Sequence, residues 1–232
     1  MNNHVTKVVL VSANLGGFDP PSQHCRQDLS EGVQFSVYTY TDANFPPRVN
    51  SLTPRMQARI PKCFAWDMAG TRGADFYIWV DASYAMQHPT SGSWFLSRCH
   101  GQTDMALFLH PHRNTIAEEA AYIAERLTQC DPYITSRYSG EDLTGQLAAI
   151  PYGYLDTTLY ASTAFIYRNT TSVQAMLTEW WVHISRFHSV DQLALPYLVH
   201  KHGLNVLRLS ENIYRFPYLT RIRPSERSKR AS

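Results

Sequence analysis

The chain has 232 residues, 44% of them hydrophobic and 17% charged, and its formal net charge is +2. This composition is typical of one globular domain with a sizeable core, and it excludes a largely disordered chain. A charge this close to zero does not require a nucleic-acid or membrane surface, and no apolar segment has the roughly 20 residues that span a bilayer.

Strands and helices are predicted to alternate along the chain. Strands are predicted over residues 5–14, 33–42, 74–83, 104–110, 158–170 and 204–209. Helices are predicted over residues 51–70, 114–129, 172–187 and 189–203. The alternation favours an α/β/α sandwich with a mostly parallel central sheet, in which ligands bind outside the carboxyl ends of the strands.

Local signals support several of these elements. The first strand is a continuous apolar run that ends in Leu-Gly-Gly, which is typical of a buried parallel strand followed by a turn. Pro61 interrupts the first helix, and Pro196 indicates a kink or a late start in the last one. Two pairs have the spacing of a capping box: Thr115 with Glu118, and Ser189 with Gln192.

The termini and the cysteines bear on the compartment and the domain limits. The four cysteines form no C-x-x-C pair, which argues against a zinc site and favours reduced thiols. The first residues lack the pattern of a signal peptide, so we expect a soluble cytoplasmic protein. We expect one domain over residues 1–220, followed by a basic tail over 221–232 that is either a solvated terminus or a phosphate-contacting arm.

Asp81 ends the third predicted strand, in the stretch "FYIWVDASYAM". A carboxylate just past a buried strand has two interpretations. It can cap a turn, which is the commoner role of a lone strand-end Asp. It can also coordinate a divalent cation that neutralises a substrate diphosphate. The residue alone does not decide between the two.

A second cluster lies at a predicted strand-to-helix junction. His110, His112 and Arg113 come directly before the helix whose first turns hold Glu118 and Glu119. Histidine and arginine at a helix N-terminus suit anion binding, because the helix end adds partial positive charge. The acids could orient the histidines, or they could only complement the helix dipole.

A third candidate is Asp191, followed by Gln192, at the start of the last predicted helix. A carboxylate there could serve as general base for an acceptor hydroxyl, or it could only complement the helix dipole. The sequence contains no P-loop, no G-x-G-x-x-G and no G-x-S-x-G motif, so the corresponding nucleotide-binding and hydrolase classes lack support.

Taken in order, the segments of this chain resemble one protein family. The series is "VVLVSANLGGFD", "VQFSVYTYTD", "RMQARIPKCFAW", "FYIWVDASY", "MALFLHPHRNTIAEEAAYI", "STAFIYRNT", "EWWVHISRF" and "SVDQLAL". It resembles a glycosyltransferase-like family that is related to plant pectin and mucilage synthesis proteins and has bacterial and phage members. The resemblance covers about residues 7–210 and implies a single-domain GT-A fold, which is a Rossmann-like sheet that binds a nucleotide-sugar.

The resemblance also implies roles for individual residues. Asn14 and Asp42 would border the nucleoside, and a basic helical face would approach the diphosphate. Asp81 and Ser83 would stand at the metal-binding D-x-D motif, which here reads D-A-S and has one carboxylate instead of two. Asp191 would be catalytic together with Asp81. The remaining implied substrate-binding residues are Arg55, Arg59, Lys62, His110, His112, Arg113, Glu118, Glu119 and Gln192.

The resemblance therefore implies an enzyme that moves a sugar from a nucleoside diphosphate sugar, such as a UDP-sugar, to an acceptor hydroxyl. A divalent cation, Mn²⁺ or Mg²⁺, would be its cofactor. The acceptor would be a polysaccharide, another glycan or a hydroxymethylated base in phage DNA. The alternative is a non-catalytic nucleotide-sugar-binding module on the same fold, which the incomplete D-x-D motif favours.

Overall fold

A six-stranded, mostly parallel sheet organises the computed structural model, which describes residues 5–17, 19–47 and 50–222. Its strands are β1 Thr6–Asn14, β2 Val33–Thr41, β3 Phe76–Val80, β5 Met105–Leu109, β6 Tyr160–Arg168 and β7 Val206–Leu209. The short strands β4 Tyr84–Ala85 and β8 Thr220–Arg221 pair with each other in a separate two-stranded sheet. All six predicted strands are confirmed, as β1, β2, β3, β5, β6 and β7. The predicted basic tail lies outside the described residues from 223 onwards.

Eight helices and two short 3₁₀ helices connect the strands of the described chain. The helices are α1 Pro54–Gln57, α2 Arg59–Phe64, α3 Ser91–Leu96, α4 Ile116–Thr128, α5 Pro132–Tyr138, α6 Leu143–Ala148, α7 Thr171–Arg186 and α8 Leu195–Lys201. The 3₁₀ helices are Asp191–Leu193 and Ile213–Arg215. The short helices α3, α5 and α6 were not predicted, because none is long enough for an apolar stripe to repeat.

The strand order in the sheet is β2-β1-β3-β6-β5-β7. Only β6 runs against its neighbours, pairing antiparallel with both β3 and β5, whereas β1–β2, β1–β3 and β5–β7 are parallel pairs. The chain leaves β1 towards β2 on one side and then crosses to β3 on the other. The carboxyl ends of β1 and β3 therefore flank a switch point, where open α/β sheets bind ligands.

The central strands β1, β3, β5 and β6 are buried on both faces, as expected for continuous apolar strands. Alternate residues of β1 enter two different cores, with Val9 and Val11 on one face and Val8 and Leu10 on the other. Helices α2, α4, α7 and α8 cover the first face, whereas α3 and the segment around Phe216 cover the second. The mixed α/β sandwich that the sequence predicts is therefore present.

Proline positions explain where two predicted helices depart from prediction. Pro61 has no N–H for the carbonyl of Gln57, so the predicted helix divides into α1 and α2 at Ala58, one turn before the proline. Pro196 marks a late start, since α8 begins at Leu195 after a separate 3₁₀ helix. At each break the helix axis ends, so the residues before and after it do not share one continuous helical face.

One predicted cap is confirmed and one is wrong. The Thr115 hydroxyl accepts a hydrogen bond from the Glu118 N–H at 3.1 Å and caps α4. Ser189 instead bonds to Glu141, and Gln192 donates to Glu119 at 2.5 Å. The second pair fails as a capping box because its polar groups reach distant elements.

No helix within residues 5–17, 19–47 and 50–222 is long and apolar enough to cross a membrane. All four cysteines lie within these ranges, and none forms a disulfide. Cys63 and Cys99 are buried, and burial raises the pKa of the Cys99 thiol to about 12.

Two glycines between α2 and β3 allow a test of this connection. Gly70 and Gly73 both have positive φ, at 89° and 86°. A Cβ at Gly70 would lie 2.5 Å from the Tyr38 ring, whereas one at Gly73 would meet nothing within 4 Å. We expect Gly73→Ala to cost about 1 kcal/mol of unfolding free energy and Gly70→Ala to cost more. Equal losses in urea unfolding would contradict the close approach of Tyr38.

Candidate functional site

Four predicted residues lie along one edge of the sheet. Asn14 ends β1, and Asp42, Asp81 and His110 directly follow β2, β3 and β5. These strands point the same way, so their carboxyl ends share an edge. The backbone therefore places these four residues along the same edge of the sheet.

A buried group of charges lies behind this edge, centred on Asp191. Its Oδ2 atom is 2.6 Å from the Lys62 ammonium and 2.9 Å from a guanidinium nitrogen of Arg59. Its Oδ1 accepts a hydrogen bond of 2.6 Å from the Ser162 hydroxyl. The carboxylate and the ammonium are almost fully buried, so each requires the other.

The ionisation of Asp191 follows from these partners. Burial alone would raise the pKa of its carboxyl, but attraction to Arg59 and Lys62 and hydrogen bonds from Lys62 and Ser162 outweigh it. The pKa therefore lies well below its ordinary range. Such a carboxylate is a weak base, so its arrangement suits the holding of positive charge better than the removal of a proton.

Aromatic rings complete the surroundings of Lys62. The ammonium lies 5.5 Å from the centre of the Trp79 ring, 5.6 Å from that of Trp180 and 6.0 Å from that of Phe165. The Trp180 indole also donates to the backbone carbonyl of Asp191 at 2.6 Å. Cation–π attraction and exclusion of water strengthen the ion pair in this cage.

Asp81 lies at the open end of the charge group. Its Oδ1 accepts a hydrogen bond of 2.8 Å from the Trp79 indole and is 3.5 Å from the Lys62 ammonium. Its side chain is 30% exposed, which leaves it accessible to a ligand. Lys62 therefore lies between the accessible carboxylate of Asp81 and the buried one of Asp191.

A second polar chain begins at the neighbour of Asp191. Gln192 donates to one carboxylate oxygen of Glu119, and the other oxygen pairs with Arg113. The Arg113 guanidinium also lies 4.1 Å from the centre of the Tyr122 ring. The predicted residues Gln192, Glu119 and Arg113 are thus in contact, although Gln192 is 73 positions from Glu119.

His110 stands at the end of this chain, with its protonation set by the backbone. Its Nδ1 accepts hydrogen bonds from the N–H groups of His112, at 3.3 Å, and Arg113, at 3.0 Å. The neutral ring therefore carries its proton on Nε2. Burial and, to a smaller extent, the nearby Arg113 and His112 together lower the pKa of His110 to about 4.

Three other predicted residues hold loops or helix ends. Asp42 accepts from the Gly16 N–H at 2.9 Å and fixes the loop after β1. The Asn14 side chain exchanges hydrogen bonds with the backbone of Asp19 in the same loop. Glu118 accepts from the Asn114 N–H at 2.6 Å, in keeping with its predicted alternative as a helix-end residue.

The side chains of the remaining three predicted residues make no contact with Asp191. Arg55 donates to the carbonyl of Arg137 at 2.8 Å, because the break at Ala58 separates it from Arg59 and Lys62. Ser83 is half-buried beside Asp81. His112 is exposed and stacks on Tyr214 with ring centres 5.7 Å apart.

Sequence reasoning missed several residues of the site. Trp79 shares a strand face with Asp81, so the period of two in β3 could have found it. Ser162 is a small polar residue in an otherwise apolar strand, which is a weaker signal. Tyr214 carries no local signal, because only the tertiary path of the C-terminal segment brings it to the site.

Comparison with known proteins assigns no function to these residues. A scan against protein-family profiles and a search of curated proteins both find no match to the chain.

The buried charges of Asp191, Lys62 and Arg59 should stabilise the fold only while all three are present. Asp191→Asn would leave Lys62 and Arg59 with an uncharged partner, and we expect it to cost about 3–5 kcal/mol of unfolding free energy. Lys201→Met, which breaks the exposed pair with Glu179, should cost at most about 1 kcal/mol.

Urea unfolding of the two variants measures the difference. Because folding depresses the pKa of Asp191, its contribution is present above about pH 4 and is lost only as the pH falls further. Similar losses for the two variants at neutral pH would contradict the buried pair.

His110 should remain neutral to low pH. We expect its ring resonances to titrate with a midpoint of about 4 in NMR spectra, with Nε2 protonated above it. Since the unfolded histidine takes up a proton near its ordinary value of 6.5, stability should fall as the pH decreases from 6.5 to about 4. A midpoint near 6.5 would contradict the buried, backbone-bonded ring.

Proposed function

We propose that this protein is a glycosyltransferase that takes a sugar from a nucleoside diphosphate sugar and joins it to an acceptor hydroxyl. The observation that carries the proposal is the meeting of Asp81, Lys62 and Asp191 at the carboxyl edge, beside the switch point between β1 and β3. Ligands of α/β sheets bind at this position, and a diphosphate leaving group needs fixed positive charge.

Unsatisfied donors support an anionic ligand next to this group. Arg59 bonds Asp191 through Nη1, but its Nε is buried without an acceptor among the described residues. Nη2 of Arg55, on the preceding helix α1, is also buried and unsatisfied within that part of the chain. A buried donor without an acceptor costs about 1–3 kcal/mol, and phosphate oxygens would remove that cost.

A divalent cation would add to this charge. The described residues contain no cluster of three or more histidine, cysteine or acidic side chains that could hold a metal alone. Asp81 supplies one carboxylate and Ser83 one hydroxyl, and Mg²⁺ is commonly held by one or two carboxylates together with substrate phosphates. Asp81 and Ser83 thus fit a cation whose other ligands are diphosphate oxygens. When bound, it would neutralise charge on the leaving diphosphate.

The protein's own groups divide the remaining tasks in this proposal. Lys62 and Arg59 hold positive charge towards the diphosphate, and Asp191 fixes both cations while remaining ionised. Gln192, Glu119 and Arg113 extend from this anchor towards the neutral His110 ring, whose Nε2 lies 3.4 Å from Nη2 of Arg113. These groups position the reactants and exclude water from the reacting bond.

A thermal-shift screen of nucleoside diphosphates, with and without Mn²⁺, tests the donor. A ligand at 100 times its Kd should stabilise the fold by about 2.7 kcal/mol, which is several degrees in Tm for a chain of this length. Asp81→Asn should remove most of the shift that depends on Mn²⁺. Glu179→Gln, on α7 where Glu179 pairs with Lys201, serves as the matched control and should keep it. The proposal fails if no diphosphate shifts the wild type.

The single carboxylate of the D-A-S motif favours a second candidate, a module that binds nucleotide-sugar without turning it over. Release of nucleoside diphosphate from a nucleotide-sugar that binds in the screen separates the two. Slow release by the wild type and its loss in Lys62→Met would support the enzyme. Tight binding without any release, with every acceptor class supplied, would support the module.

A further inference from the structure

An aromatic rim stands beside the second polar chain, and most of its residues had no role predicted from the sequence. We define the aromatic rim as His112, Tyr133 and Tyr214, which come from the β5–α4 junction, from α5 and from the 3₁₀ helix near the C-terminus. Tyr133 is 59% and Tyr214 48% exposed, so neither ring is explained by packing in the core. Exposed rings from three distant segments at one site suggest a binding surface.

Contacts and charges bring the rim together around Tyr214. Its ring stacks on that of His112, with centres 5.7 Å apart and planes 30° apart. Burial raises the pKa of the Tyr214 phenol, and Arg113, Glu119, Tyr133 and Arg221 are titratable groups close enough to influence that pKa. The rim therefore borders the Arg113–Glu119 pair.

The rim lies on the opposite side of the site from the β1 loop. Its histidine follows β5, which is separated from β1 by β3 and β6. Strands lie about 4.8 Å apart, so the carboxyl ends of β1 and β5 are about 14 Å apart. If the nucleoside of the donor lies at β1 and its diphosphate at Asp81, the rim remains available to bind the acceptor.

The segments that carry the rim hold exposed arginines as well as the acids Glu118, Asp131 and Glu211, of which Asp131 pairs with Arg126. The Arg137 guanidinium lies 4.1 Å from the centre of the Tyr133 ring. Arg215 and Arg221 are exposed on the C-terminal segment that carries Tyr214. Glu119, a nearby acid, is neutralised by Arg113. Flat rings interleaved with arginines are the pattern of surfaces that bind single-stranded nucleic acid, because bases stack on the rings and phosphates meet the cations.

We propose that the aromatic rim, with Arg137, Arg215 and Arg221, is an acceptor subsite for a single-stranded segment of nucleic acid. One base stacks on Tyr214 and His112, and the arginines meet the neighbouring phosphates. A base held there would present its substituent to the groups around His110 and Asp81. The assignment of this surface to the acceptor rests on the proposed function, whereas the binding of nucleic acid does not. An anionic glycan would also meet the arginines, but the stacked pair of rings favours a planar base.

Fluorescence anisotropy with a short labelled oligodeoxythymidylate at about 50 mM salt tests the subsite. We expect the wild type to bind and to lose affinity as salt rises to about 200 mM. Tyr214→Ala should weaken binding about tenfold, while Tyr214→Phe, which keeps the ring, should bind within about twofold of the wild type. Arg137→Ala should weaken binding and reduce the salt dependence, whereas Arg186→Ala, on α7, removes the same charge and should leave binding unchanged.

The outcomes separate this proposal from the donor proposal. Equal binding by wild type and Tyr214→Ala, with melting temperatures alike, would overturn the subsite, as would no binding at low salt. Binding of a uronic-acid oligosaccharide, but not of the oligonucleotide, would assign the rim to an anionic glycan and also overturn it. Tyr214→Ala should retain any thermal shift from nucleoside diphosphates, so loss of acceptor binding and loss of donor binding are read independently.

Discussion

The ion pair between Lys62 and Asp191 is the constraint on which the site depends. It joins α2 to the 3₁₀ helix before α8, 129 positions along the chain, in a space from which water is excluded. Two buried charges are costly unless they are paired and hydrogen-bonded, and here Arg59, Ser162 and three aromatic rings meet that need. The pair also leaves Lys62 within reach of the exposed Asp81. The buried contact with Asp191 therefore holds the positive charge of Lys62 next to Asp81, at the carboxyl end of β3.

The antiparallel strand β6 makes this arrangement possible. Because β6 runs against β3 and β5, its first residues lie at their carboxyl edge, which brings Ser162 to Asp191. The carboxyl ends of β1, β3 and β5 lie along one edge of the sheet. In our proposal the donor diphosphate meets the cations near β3, while the acceptor approaches from β5. The polar chain from Gln192 to His110 connects these two regions.

Much of the sheet could be predicted, because long apolar runs have few alternatives to buried strands. The same holds for α4 and α7, whose apolar stripes repeat over three turns or more. The short helices, the antiparallel direction of β6 and the break at Ala58 depend on tertiary packing or on a missing N–H one turn away. Among site residues, strand-end positions such as Asp81 could be predicted from topology. The partners of Asp191 could not, since Arg59 and Lys62 meet it only after α2 and α7 pack together.

A crystal structure with a bound nucleoside diphosphate and Mn²⁺ tests the central claim most directly. We expect the diphosphate at the carboxyl ends of β1 and β3, with the cation on Asp81 and a phosphate oxygen on the unsatisfied Nε of Arg59. The Lys62–Asp191 pair should keep its distance of 2.6 Å, because it is the anchor and not the ligand site. A diphosphate bound elsewhere on the chain, or one that breaks this pair and takes Asp191 as its metal ligand, would contradict the claim.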